Sequence, residues 1–191
     1  AKNLAGGEIL ISHIRLFPEE VLKGLVTIAK TTKLFIESAI EIGIDGIFIA
    51  VQHAQAGLLT VEEFRYFGKV LDLQLLECTK DLWCNILHLH GSNVYFDIVK
   101  DYPVNIINWH DRDTPPSLHE AYNNYSGILC GGLKRETISL GTPAEIMTEI
   151  KDAISQVNGK RLLLGTGCVT PSISPHGNIK TVRLMVEENE S

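Results

Sequence analysis

Three histidines and a cysteine stand where short apolar runs give way to polar residues. His88-Leu89-His90 closes the run that begins at Cys84, Trp109-His110-Asp111 closes the run from Val104, and Cys168 closes the run from Arg161. If each run is a strand, His88 and His90 project to the same side, and both imidazoles can reach one ion or one ligand. Imidazole and thiolate suit a tetrahedral zinc site, so His88, His90 and Cys168 form a candidate metal set. The plainer alternative is a pair of core histidines with hydrogen bonds and an inert buried thiol. His110 with Asp111 is a candidate catalytic pair, either an acid/base couple or a carboxylate orienting a ligand histidine; its plainer reading is a polar strand-end turn. Gln52 and His53 follow the run ending at Val51 and are candidates for substrate contact, although His53 also reads as a packing histidine. Arg112 and Lys134 are candidates for holding an anionic substrate, with a solvated surface charge the simpler role for Lys134. Cys78 and Cys130 read as structural or core thiols, and His13, His119 and His176 as solvent-facing. Gly165-Thr166-Gly167 lacks the third glycine of a dinucleotide fingerprint and follows the last strand rather than the first.

The elements that must position these groups follow from apolar periodicity. A short helix is expected over 8–15. A long one starts at Pro18, with Glu19 and Glu20 at its positive end, and stops at Gly43. Strands are expected over 45–51, 84–90, 104–110, 127–133 and 161–168. The first is continuously apolar, as parallel strands covered on both faces are. Helices are expected over 61–80, opened by a Thr60/Glu63 capping box, and over 93–100, 115–125, 142–158 and 174–188, with a polar, frayed tail at 187–191. Strands alternating with helices make an α/β fold with a parallel sheet and outer helices. Two arrangements remain open: a five-stranded open sheet, or about five βα units of a TIM (β/α)8 barrel, which typically needs about 250 residues. In either, the polar ends of parallel strands are where active sites sit.

At 191 residues a single domain over 1–191 is the default, with room for a sizeable core. A net charge of −6 without a basic stripe argues against a nucleic-acid partner. Four cysteines with no CxxC pair read as reduced thiols of a cytoplasmic protein. No apolar run nears the roughly 20 residues of a membrane span, and no secretory signal is evident. The chain opens on Ala1 without a methionine, as a processed product or a fragment would, and the five-strand pattern favours a fragment.

Taken together, several stretches resemble the uroporphyrinogen decarboxylase superfamily: residues 1–7 through Pro18-Glu19, Asn108-Trp109-His110-Asp111, Gly131-Gly132-Leu133, 141–146, and Gly165-Thr166-Gly167-Cys168 with Pro171 and Ser174-Pro175. They cover nearly the whole chain in order. The resemblance implies a (β/α)8 barrel of about twice this length, of which this chain would be the C-terminal part, with five strands corresponding to the fourth through eighth. The substrate-carboxylate arginines and essential aspartate of that superfamily would then lie upstream. One branch decarboxylates uroporphyrinogen in porphyrin biosynthesis without a cofactor. The residues it uses correspond to Lys2, Ala54 and Cys168 here, and none matches. The other branch moves methyl groups between corrinoid proteins and thiols with zinc held by His-x-Cys and a later cysteine. His88 and Cys168 match that set, and His90 stands where a cysteine is expected. The resemblance thus implies zinc on His88, His90 and Cys168, a thiol acceptor, and a corrinoid protein or small methylated donor. The decarboxylase is the alternative, and a non-catalytic module that binds a partner is another. A fragment alone is expected to be inactive and to form homo-oligomers through open barrel edges.

Overall fold

The computed structural model describes residues 1–189; Glu190 and Ser191 of the expected tail lie outside them. Its five strands are β1 (Phe48–Val51), β2 (Ile86–Leu89), β3 (Ile106–Trp109), β4 (Ile128–Leu133) and β5 (Leu162–Thr166). They pair in parallel and in chain order. Each crossover steps one strand in the same direction, and right-handed crossovers then stack every helix on one side.

Burial shows that outcome. Leu87, Leu89, Ile107, Trp109 and Leu129 share one face and are fully buried. The opposite face carries Phe48, Ile128 and Leu163, which are 61%, 38% and 46% exposed. Side chains alternate across a strand, so the difference belongs to the faces and not to the strands. The sheet is an arc covered on its outer face, and of the two expected arrangements it has the form of a partial barrel-like fold. Among the described residues no strand pairs with the free edge of β1 or of β5.

Before β1 come α1 (Lys2–Ala5), α2 (Gly7–Leu16) and α3 (Pro18–Glu41). Pro18 and the acidic pair begin α3 as expected. The helix expected over 61–80 is divided: α4 (Val61–Phe64) runs through a π-helical turn (Arg65–Lys69) into α5 (Val70–Glu77). The Thr60/Glu63 capping box is present. The next helix, α6 (Phe96–Val99), is one turn long. It starts late because Asn93 adopts a left-handed backbone, φ 49°, with its N–H donated to Thr114 Oγ1 at 2.7 Å. Downstream lie α7 (Leu118–Asn124), α8 (Arg135–Leu140), α9 (Pro143–Gln156) and α10 (His176–Asn189). The sequence reading did not foresee α1 or α8. In α9, Ile146, Ile150 and Ala153 recur at helical spacing and are fully buried against the sheet side.

One buried acid lies away from the strand ends. Asp72 on α5 accepts a hydrogen bond from Tyr102 Oη at 3.1 Å. Burial pushes its carboxyl up to about 6, partly opposed by that bond. A raised folded-state pKa means stability that is present below the unfolded value and lost as pH rises through about 6. The shift corresponds to about 3 kcal/mol when fully developed. Asp72→Asn should therefore be more stable than the parent by about 1–3 kcal/mol at pH 8 and equal to it near pH 4. Urea unfolding at the two pH values checks this, and an unchanged difference between them would contradict it.

Candidate metal centre

The inward face carries the chemistry. Ala50, His88, Asn108, Cys130 and Leu163 stand side by side across the five strands. Two residues further along, His90 follows β2 and His110 follows β3 on the same face. The ring centroids are 6.0 Å apart for His88 and His90, 6.0 Å for His88 and His110, and 5.5 Å for His90 and His110. Cys168 arrives from the end of β5, with Sγ 3.8 Å from His90 Nδ1. Its approach depends on Gly167, where a Cβ would stand 2.6 Å from the Trp109 carbonyl oxygen and 2.7 Å from His110 Cα. Only glycine lets the β5 end pass this close to the β3 end. One donor atom from each of His88, His90, His110 and Cys168 lies within 4.8 Å of every other. The three expected ligands therefore come together, joined by His110.

Asn108 organises the cluster from below. Its amide nitrogen donates to the carbonyls of Cys130, 2.9 Å, and Thr166, 3.1 Å. Its oxygen is then the acceptor for His88 Nδ1, at 2.6 Å. That bond places the proton on Nδ1 and leaves Nε2 of His88 with a free lone pair, as a metal-binding histidine requires. Gln55 fixes the neighbouring strand ends by donating to the carbonyls of Gln52, 2.8 Å, and His90, 3.1 Å. Thr166 Oγ1 donates to the Cys168 carbonyl at 2.7 Å, which holds the turn carrying the thiol.

Burial lowers the pKa of all three cluster histidines. Mutual repulsion adds to this for His88 and His110, and the Arg135 charge does so for His90 and His110. The Asn108 bond partly opposes the shift at His88. Neutral imidazoles present lone pairs at pH 7 with no proton to displace. His110 Nε2 is buried and makes no hydrogen bond, which is a cost unless another partner is supplied. Its other nitrogen lies 3.9 Å from Asp113 Oδ2.

The remaining expected site residues lie elsewhere. Asp111 turns away from His110: its carboxylate accepts the Gly132 N–H at 3.0 Å, and burial raises its pKa to about 6. Gly132 has φ 99°, a backbone that side-chain-bearing residues seldom adopt, so Asp111 and Gly132 together shape the end of β4. Arg112 is held by the carbonyls of Gly132, 2.9 Å, and Glu149, 2.8 Å, and by the Asp152 carboxylate. These bonds make it a brace between β4 and α9. Lys134 pairs with Asp113 at 3.0 Å. Gln52 and His53 line a separate cleft of about 490 Å3 with Lys2, Phe64 and Asp72. The sequence reading assigned no role to Asn108 and weighed His110 as a ligand only through Asp111, outside the set of His88, His90 and Cys168. The signal was available in strand register, since Asn108 beside His88 places His110 beside His90.

Among solved structures, a methyltransferase from Methanosarcina mazei matches this chain with a TM-score of 0.86 and 19% identity, over all of this chain and 56% of that protein. At that identity the likeness is one of fold. The chain thus spans a little over half the length of the protein it resembles. No protein family matches the chain, and no curated protein does. No helix among the described residues is long and apolar enough to cross a membrane.

Proposed function

We propose that this chain carries the zinc centre of a methyltransferase that delivers a methyl group to a thiol, with a corrinoid protein or a small methylated compound as donor. The observation that carries this reading is the convergence of three imidazoles and a thiol at the inward rim of a parallel sheet. The methyltransferase-like fold supports it, as do the stretches that resemble the methyltransferase branch of the uroporphyrinogen decarboxylase superfamily. His88, His90 and Cys168 would hold the ion, and their chemistry fits it: neutral nitrogens, one sulfur, and an outer hydrogen bond from Asn108 that fixes one imidazole. Zinc, when bound, supplies a positive charge that keeps a substrate thiol deprotonated and nucleophilic. The other contributions belong to the chain. Asn108 sets the His88 tautomer, and Gly167 lets Cys168 approach.

A donor set of this kind has no evident use in decarboxylating a tetrapyrrole without a cofactor, so methyl transfer is the better reading. The full-length zinc-loaded protein that contains this chain, given methylcobalamin and 2-mercaptoethanol, should form the methyl thioether. The rate should fall at least about 100-fold in His88→Ala, the scale on which lost groups at metal sites act. Equal product from the metal-free protein would sink the proposal.

A further inference from the structure

Building on the zinc reading above, we infer that His110 is the fourth ligand, bound through Nε2, and that it is the ligand an incoming thiolate displaces. Four observations lead there. Nε2 of His110 is buried and has no hydrogen-bond partner among the described residues. The donor atoms of His88, His90, His110 and Cys168 lie within 4.8 Å of one another. Tetrahedral zinc with bonds of about 2.0–2.3 Å places its ligand atoms roughly 3.3–3.8 Å apart, so the four donors need to close by about 1 Å. Side-chain rotation at a strand rim provides that much.

The third observation is that the four donors are not equally held. His88 is tied to Asn108 at 2.6 Å. The His90 ring and the Cys168 thiol pair with each other, Nδ1 to Sγ 3.8 Å. The His110 ring has only Asp113, at 3.9 Å, and Asp113 is itself drawn to Lys134 at 3.0 Å. The fourth is position: His90, His110 and Cys168 stand half-buried at the rim of the sheet, at the edge of the core rather than within it. A site with four protein ligands is closed, and closed sites are ordinarily structural, whereas catalytic ones keep a position for substrate. A closed set at the rim works catalytically when one ligand yields. The least anchored ligand, His110, is the one to yield. One nitrogen–metal bond then breaks and one sulfur–metal bond forms. The thiolate enters already deprotonated, with its proton left in solvent.

Cobalt(II) serves as a spectroscopic probe for zinc. In the wild type, ligation by three histidines gives three strongly shifted, exchangeable ring N–H proton signals; His110→Ala should give two. Addition of 2-mercaptoethanol to the wild-type cobalt protein should remove one of the three and add a second sulfur-to-cobalt charge-transfer band. The thiol concentration for half-saturation should be on the order of 10-fold lower in His110→Ala, which has no ligand to displace. His110→Gln, closer to the native side chain in volume, repeats the measurement if the alanine variant folds poorly. Two signals in the wild type, with thiol titration unaltered by either variant, would overturn the proposal while leaving the metal site standing. Three signals that persist under saturating thiol would overturn displacement. No cobalt bound by any form would overturn this inference together with the zinc reading.

Discussion

Cys168→Ser should weaken zinc binding at least about 100-fold while leaving the metal-free fold almost untouched. Cys168 is the one sulfur in the donor set. A serine hydroxyl is a much poorer zinc ligand, because it stays protonated where a thiol coordinated to the ion does not. The outer hydrogen bonds of metal sites are already worth about 10–100-fold in affinity, so a direct ligand should exceed that. The thiol is half-buried at the rim and fills no core space, so the change in unfolding free energy without metal should stay within about 0.5 kcal/mol. Competition titration against a chromogenic chelator gives the first quantity and urea unfolding the second. Unchanged affinity would remove Cys168 from the site. Lost affinity with a collapsed fold would make its role structural.

Asn108→Leu should have the largest effect on stability, about 3–5 kcal/mol. The side chain is buried and makes three hydrogen bonds: to His88, to the Cys130 carbonyl and to the Thr166 carbonyl. Leucine has a similar volume but leaves three buried polar groups without partners. Each costs about 1–3 kcal/mol, lessened where water reaches the rim. For a chain of this length that is a fall of roughly 10 °C in Tm. The same substitution frees the His88 ring to take either tautomer, and zinc affinity should fall by about 10–100-fold. Asn108→Asp separates the two effects, since its carboxylate still accepts from His88 Nδ1 but cannot donate to the carbonyls. It should lose stability while keeping most of the zinc affinity. Thermal unfolding without metal, beside zinc titration of both variants, tests the pair.

Strand positions and the parallel sheet were legible because apolar runs bounded by glycine and polar residues leave few other options. His88 and His90 could be paired from the period of two alone. Cys168 could be added because its strand ends at the same rim. What stayed hidden depends on contacts between strands. Asn108 looks like an ordinary polar residue in an apolar run until register places it beside His88 and Cys130. His110 and Asp111 are adjacent in sequence, which suggested a couple. Successive residues point to opposite faces, however, so His110 turns inward while Asp111 meets Gly132. Arg112 carries a charge suited to an anionic substrate, and only the fold shows it engaged by Gly132, Glu149 and Asp152. The short helix α8 was missed because its six residues offer less than two turns of periodicity.

X-ray absorption at the zinc edge of the zinc-loaded chain, with no thiol added, tests the metal centre most directly. The expected first shell holds three nitrogens at about 2.0–2.1 Å and one sulfur at about 2.3 Å, with the outer-ring scattering typical of imidazole. A shell of oxygen or nitrogen alone, without sulfur or imidazole scattering, would contradict the site built from His88, His90, His110 and Cys168.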